Sequence, residues 1–489
     1  MKLRWFYLWS VLSLGGVAIW GAWLNAPSHA QGESREDRRA RILALTSYFQ
    51  APEQFELYQG GSGSNLERLG RNAFSQPDGN LSFEQRADFF IGNGIFDRPW
   101  VPAPSSTLAS DGLGPLLNAR SCQGCHIKDG RGHPPAPGDT NFVSMLFGLA
   151  DTQGNPDPIY GQQLQDQAIV GFEAEGQPWI TYEDHPVTYA DGTTVVLRKP
   201  TYGVDDLTFG PLADGVGLLP RIAPQMIGLG LIEAIAAEDI LAAADHDDAD
   251  GDGISGRAHR VASIWLASDD ELGRFGWKAT AATLYDQSAI AFFNDMGLST
   301  SLLLPGQGDC TKAQVACVEA HHGGALPGDP EIVDELLELV TFYSSSLGVP
   351  ARRHHQDADV LAGKALFYQA KCTSCHTPKF ATSADAPEFL RNQLIWPHSD
   401  FLLHDMGPDL ADPSPTGDAL AAEWRTPPLW GLGYTQDVSG HSFFLHDGRA
   451  RSIEEAILWH GGEGAAARDA FMAMRADERA QLIAFLGSL

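Results

Sequence analysis

Cys122-Gln123-Gly124-Cys125-His126 and Cys372-Thr373-Ser374-Cys375-His376 are two copies of one pattern, Cys-x-x-Cys-His, set far apart in the chain. The pattern is the covalent attachment site of a c-type haem. Two thiols add across the haem vinyl groups, and the histidine beside them falls on one face of the iron as its proximal ligand. With 6 Cys and 16 His in 489 residues, one such pentad by chance is rare and two can be set aside. Zinc is the competing use of a Cys-x-x-Cys pair, but it gives no reason for a histidine directly after each pair. The pentads therefore predict two covalently bound haem c groups, one on Cys122, Cys125 and His126 and one on Cys372, Cys375 and His376.

The chain carries 62 acidic against 33 basic residues, a net charge of −29. That balance argues against nucleic-acid binding and suits either a solvated acidic surface or the attraction of a basic partner protein. At the N-terminus, Lys2 and Arg4 precede an uncharged apolar run, Phe6 to Trp23, and Ser28-His29-Ala30 offers the small residues that a signal peptidase reads. Residues 1–30 are expected to be a signal peptide that directs the chain to the periplasm, with an uncleaved membrane anchor as the alternative. Cys310 and Cys317 lie close together in sequence, and in an oxidising compartment a disulfide between them is expected.

Helical patterning runs over Arg35 to Phe49, Leu81 to Phe90, Met226 to Ala237, Ala279 to Phe293, Glu331 to Ser344, Ala358 to Ala370 and Asp477 to Leu486. Thr188-Tyr189 and Thr193 to Leu197 flank an Asp191-Gly192 turn, a β-hairpin signal that reads as an insertion at about 150–215. Val349-Pro350 and Arg352-Arg353 mark a boundary. A helix that delivers a pentad and another that closes the domain is the cytochrome c arrangement. The expected fold is mainly α, with two cytochrome c-like haem domains at 31–348 and 349–489 and the hairpin-containing insertion in the first.

Further motifs follow the second pentad in order: His404-Asp405-Met406-Gly407, Trp424-Arg425-Thr426-Pro427-Pro428-Leu429-Trp430-Gly431, and His446-Asp447-Gly448-Arg449-Ala450 through Glu454-Glu455-Ala456-Ile457. The first half adds Asp111-Gly112-Leu113-Gly114-Pro115, Asp129-Gly130-Arg131-Gly132 and Gly273-Arg274-Phe275-Gly276-Trp277-Lys278-Ala279. In combination this series resembles the di-haem oxidoreductase family, a branch related to bacterial di-haem cytochrome c peroxidases and MauG-type enzymes. The resemblance implies an enzyme in which one haem relays electrons and the other performs chemistry.

Function then turns on each iron's sixth ligand: a filled position makes a relay, and an open one admits peroxide. For the haem at His376, His460 stands where the resembling enzymes place the distal ligand, which is Met in the peroxidases and Tyr in the MauG type. Met406 is its competitor, and His404 and His446 read as hydrogen-bonded loop histidines. For the haem at His126, the matching stretch Gly217 to Pro224 offers no His or Met, and His133 is too near the pentad to reach around the haem. An open site is expected there. By the resemblance, Trp277 is an inter-haem tryptophan, Gln287 an active-site amide, and Asp295, before Met296-Gly297, an acid–base carboxylate. The Asp295 match requires a two-residue shortening after Gln287.

Asp248-Ala249-Asp250-Gly251-Asp252-Gly253 alternates oxygen ligands as a calcium loop does, with Asp245 and Asp247 nearby, although His259 stands where an EF-hand places its closing Glu. The related peroxidases also hold calcium. The leading expectation is a periplasmic di-haem peroxidase that takes electrons from a small cytochrome or cupredoxin and reduces peroxide or another small oxidant. A pure electron-transfer cytochrome and a MauG-like oxidase of a partner protein are the alternatives.

Overall fold

A computed structural model describes residues 35–489 except Leu108, Pro137, Pro305, Ala325 and Pro327. The expected signal peptide at 1–30 lies outside the described residues. Met1–Leu45 and Thr46–Leu489 separate as two units. The first contributes helix α1 (Arg35–Leu43), and everything that follows concerns the second.

The second unit is built from helices α2 (Phe83–Phe96), α3 (Leu284–Met296), α4 (Asp334–Ser345), α5 (Ala358–Gln369), α6 (Ile453–Leu458) and α7 (Ala476–Ser488), together with a nine-residue helix, Ala465–Ala473, and shorter turns of helix. Its strands include β1 (Met145–Ala150), β2 (Gln177–Thr188), β3 (Thr194–Asp205), β4 (Gly217–Ile222), β5 (Leu403–Asp405) and β6 (Glu423–Arg425). Local chemistry sets the helix ends. Ser82 and Gln85 form a reciprocal capping box at the start of α2. Thr283 accepts the Asp286 N–H at the start of α3, which stops at left-handed Gly297. Close backbone approach fixes how the helices pack. A Cβ on Gly92 would lie 2.3 Å from the Leu339 carbonyl of α4, and one on Gly363 would lie 1.9 Å from the Gln481 carbonyl of α7. An alanine at either position would force its helix pair apart.

The expectation of a mainly α fold is overturned: 28% of the chain is helical and 18% is strand, the strands falling in many small sheets. The helical segments themselves are found close to where the pattern puts them, but the chain between them does not extend them. With 52 Gly and 30 Pro, those connections run as turns and paired extended segments. Met226 to Ala237 is the clearest case, since it breaks into Leu229–Glu233 and Ala237–Leu241, with Ala236 extended between them. The described strands form six two-stranded antiparallel sheets.

Two of these sheets position the site. β1 and β4 pair over their full length, Met145 opposite Ile222 and Ala150 opposite Gly217. The β2–β3 hairpin is twelve residues a side and turns at Asp191-Gly192. Its base packs Ile180, Tyr202 and Val204 on Phe147 of β1, while Tyr189 and Leu197 near its tip join Phe471 and Leu482 in the C-terminal core. The main core is shared by both halves of the chain: Phe89, Phe292 and Tyr343 lie in one cluster with Phe380, Trp430 and Tyr434. The boundary expected at 349 falls beside Val349, which is fully buried in that cluster. Cys310 and Cys317 form a disulfide.

Candidate haem centres

The two pentads adopt the same local geometry. His126 N–H donates to the Cys122 carbonyl at 3.0 Å, and His376 N–H to the Cys372 carbonyl at 2.9 Å, so each pair is wound into a turn that presents both thiols. In the first, Ser121 caps that turn through the Gly124 N–H. Each imidazole is then fixed by its Nδ1, His126 on the Pro224 carbonyl at 2.8 Å and His376 on the His398 carbonyl at 2.9 Å. A carbonyl can only accept, so both rings carry the proton on Nδ1 and leave Nε2 free. Burial pushes both histidines down to about 4, which keeps them neutral at pH 7, the form that ligates a metal. Two free thiols and one free imidazole nitrogen per pentad form a donor set that fits covalent haem.

Around the first pentad lies a cavity of about 720 Å³. Its walls include Cys122, Cys125 and His126 together with Trp277, Gln287 and Asp295. Helix periodicity explains part of this gathering. Gln287, Ala291 and Asp295 recur every four residues on α3, so they share one face, and that face lines the cavity. Among the described residues, His126 is the one histidine in the lining. Met226 also lines it, but it belongs to the His126 side: its N–H binds the Asp129 carbonyl, two residues after the Pro224 that holds the imidazole.

Asp295 takes a single side-chain hydrogen bond, from Gln163 Nε2 at 2.9 Å, and burial holds its carboxyl up to about 6. Gln163 also donates to Asn118 Oδ1 at 2.8 Å, and Asn118 donates to Asp166 Oδ1 at 2.9 Å. Burial likewise raises Asp166 to about 6. Two amides thus join two carboxylates that, among the described residues, have no ion-pair partner. Asp309, another carboxyl in the lining, accepts the Gln162 and Gln163 N–H groups. None of these partners was anticipated from the sequence. Gln163 follows a Gly- and Pro-containing stretch with no motif, and only the fold brings it to α3.

Trp277 lines the first cavity and is linked through the backbone toward the second pentad. Its indole N–H donates to the Ile222 carbonyl at 2.8 Å, and its own carbonyl accepts the Arg425 N–H at 3.0 Å. Arg425 belongs to β6, which pairs with β5, where Leu403 is opposite Arg425 and His404 opposite Trp424. His404 in turn lies 3.5 Å from the Cys375 sulfur. Two short strands therefore tie the tryptophan of the first cavity to the second pentad.

His404 is a clamped cation. Burial alone would lower it, but Asp400 at 2.8 Å and Glu463 at 2.6 Å grip its two nitrogens and push it up to about 12. His446 is the opposite case. It stacks on Trp424 at 3.7 Å, and burial lowers it to about 3. With both nitrogens engaged, His404 is not free to ligate. The two candidate sixth ligands for the second pentad do come together: a Cβ on Gly464 would lie 3.1 Å from the His460 side chain and 3.2 Å from Met406 Cε. His460 donates from Nδ1 to the Ala456 carbonyl at 2.8 Å, which leaves its Nε2 free, and its positive form would depress His376, so the two rings are near neighbours.

In the Asp248–Gly253 loop the structure gathers carboxylate oxygens of Asp245, Asp248 and Asp250 within 4.8 Å of one another. Asp252 instead accepts the Ile254 N–H. The sequence reading named Asp248, Asp250 and Asp252, and the loop's winding substitutes Asp245 for the last.

The family whose profile matches this chain is described as "Di-haem oxidoreductase, putative peroxidase", and the match covers residues 59–147 and 160–489. The chain belongs to that family, and two haem groups are the cofactors that membership implies. The matched region spans the β2–β3 hairpin. No curated protein matches the sequence. Among solved structures, a hydrazine synthase from Kuenenia stuttgartiensis, in a form pressurized with xenon, is similar at 13% identity with a TM-score of 0.27. That similarity covers 88% of this chain and 97% of the other. Among the described residues, no helix is long and apolar enough to cross a membrane.

Proposed function

We propose that this protein is a periplasmic di-haem peroxidase in which the haem at Cys372, Cys375 and His376 relays electrons, by way of Trp277, to the haem at Cys122, Cys125 and His126. The observation that carries the reading is the asymmetry of the centres. One pentad opens on a 720 Å³ cavity in which, among the described residues, the only histidine is the proximal one, and the other has His460 close enough to act on His376, with Met406 packed beside His460. Haem with an open sixth position supplies the two-electron reduction of peroxide to water.

The chain's own residues supply the rest. Asp295 is the base that takes the proton from the near oxygen of peroxide and returns it to the departing oxygen. A carboxyl held near 6 is ionised at neutral pH yet basic enough for that exchange. Gln163 is a positioning residue that orients Asp295, and Gln287, about two helical turns earlier on α3, offers an amide to the same cavity. Net charge of −29 suits docking of a basic small cytochrome or cupredoxin as electron donor. Export is supported by the Lys2–Ala30 pattern and by the Cys310–Cys317 disulfide, which persists in oxidising compartments.

The test is steady-state consumption of hydrogen peroxide with a reduced small cytochrome as donor. Multiple turnovers per protein are expected. No turnover, with both irons reducible, would leave only an electron carrier. Turnover only in the presence of a protein substrate that becomes oxidised would favour the MauG-like alternative.

A calcium ion is proposed at Asp245, Asp248 and Asp250. Saturating Ca²⁺ at about 100 times its Kd should stabilise the fold by about 2.7 kcal/mol, read as a rise in Tm that Asp248→Asn removes. An unchanged Tm would refute the site.

A further inference from the structure

We propose that Arg131 and Arg425 form a carboxylate-binding pair beside Trp277, and that it receives the two propionate groups of the haem held in the 720 Å³ cavity. The proposal rests on the attachment of a haem at Cys122, Cys125 and His126.

Most other buried guanidiniums in this protein are paired with a carboxylate; Arg274 has none within ion-pair distance among the described residues, but Glu233, Glu238 and Glu271 act on its charge from farther away. Arg221 and Lys278 share Asp412, Arg352 pairs with Glu56, and Arg449 with Asp447. Arg131 and Arg425 are each only 7% exposed, both line the cavity, and neither has a carboxylate partner within ion-pair distance among the described residues. Arg131 is held by ring faces alone. Its guanidinium carbon lies 5.6 Å from the Trp277 centroid and 5.8 Å from the Phe444 centroid, and its Nε has no hydrogen-bond partner. Arg425 spends its Nε on the Gly276 carbonyl at 2.9 Å and one terminal nitrogen on the Thr426 carbonyl at 3.3 Å.

Taking a guanidinium out of water without an adjacent anion is costly, so two buried guanidiniums facing one cavity, Arg131 with no charged partner and Arg425 with only the more distant Asp400, make a site suited to anionic groups. Burial lowers both to about 10, so both remain cationic at neutral pH. The planar fork of arginine matches a carboxylate. Haem carries two carboxylates on one edge, and the pair stands on the side of the cavity that Trp277 and β6 connect to the second pentad. The anionic edge of that haem would therefore face the electron relay, with its charge offset by the two cations. A positive charge near the iron favours the reduced state.

The test is potentiometric titration of the purified protein with Arg131→Gln and Arg425→Gln, each verified to retain two haems by haemochrome assay and mass. One of the two reduction waves should move to lower potential in each variant, the other should stay, and Arg131→Lys should restore most of the shift. Both waves unmoved, with two haems present, would overturn the proposal and leave the attachment assignment standing. A wild-type protein carrying fewer than two haems would instead remove the assignment on which it rests. Should either Gln variant fail to fold, resonance Raman spectra of the wild type decide: propionate bending modes of strongly hydrogen-bonded carboxylates are expected, and modes of freely hydrated ones contradict the proposal. A wild-type potential that follows phosphate concentration, with propionate modes unaltered in Arg131→Gln, would assign the pair to a free anion and equally overturn it.

Discussion

Asp295→Asn is expected to lower peroxide turnover by about 10²- to 10⁴-fold while both haems remain attached, because it removes the base that moves the peroxide proton. The asparagine preserves the shape of the side chain and its contact with Gln163, so structure and haem content should be unchanged. The pH profile carries a second, independent signature. Asp295 is held up to about 6 by burial, so it is ionised and active above that pH and protonated below it. Wild-type turnover should therefore fall as pH drops through about 6, and the residual activity of the variant should lack that limb. Gln163→Leu removes the one hydrogen bond that lowers the Asp295 pKa, so it should move the limb to higher pH. Undiminished turnover in Asp295→Asn would exclude the carboxylate from the chemistry.

His460→Ala is expected to convert one haem from six-coordinate low-spin to high-spin and to leave the other spectrum unaltered. His460 and Met406 pack side by side at Gly464, so their position there does not separate them. Second-sphere bonding does. The Nδ1 bond of His460 to the Ala456 carbonyl fixes the ring with Nε2 unprotonated, as metal-ligating histidines are held. Burial keeps that ring neutral. Bis-His ligation implies a lower reduction potential than His/Met, which suits a donor to the open haem. Met406→Leu should accordingly preserve the low-spin spectrum. A high-spin conversion in Met406→Leu but not in His460→Ala would reverse the assignment.

Much of the site was legible in the chain because covalent attachment demands a contiguous pattern. The pentads, and through the family motifs Trp277, Gln287 and Asp295, could be named from residues close together in sequence. The residues that tune them could not. Gln163 and Asn118 meet Asp295 only after β1 and β4 have folded the intervening chain against α3, and no local signal marks an amide for that use. Arg131 and Arg425 sit inside quoted motifs, Asp129-Gly130-Arg131-Gly132 and Trp424-Arg425-Thr426, yet a motif does not say which of its side chains is left unpaired in a cavity. The fold class failed for a related reason. Helical periodicity at α2 to α5 is a local signal and was found, whereas the β1–β4 pairing joins residues 145 and 222 and depends on long-range contact. The Gly217–Pro224 stretch illustrates both points: read for a missing ligand, it proved to be the strand that walls the cavity.

The central claim is that two equivalent attachment sites hold unequal irons, and the resting ferric protein tests it most directly through its EPR and absorption spectra. One high-spin and one low-spin haem are predicted, in equal amounts. Two low-spin haems in every redox state would mean that both irons are closed, and would contradict the account of an enzyme.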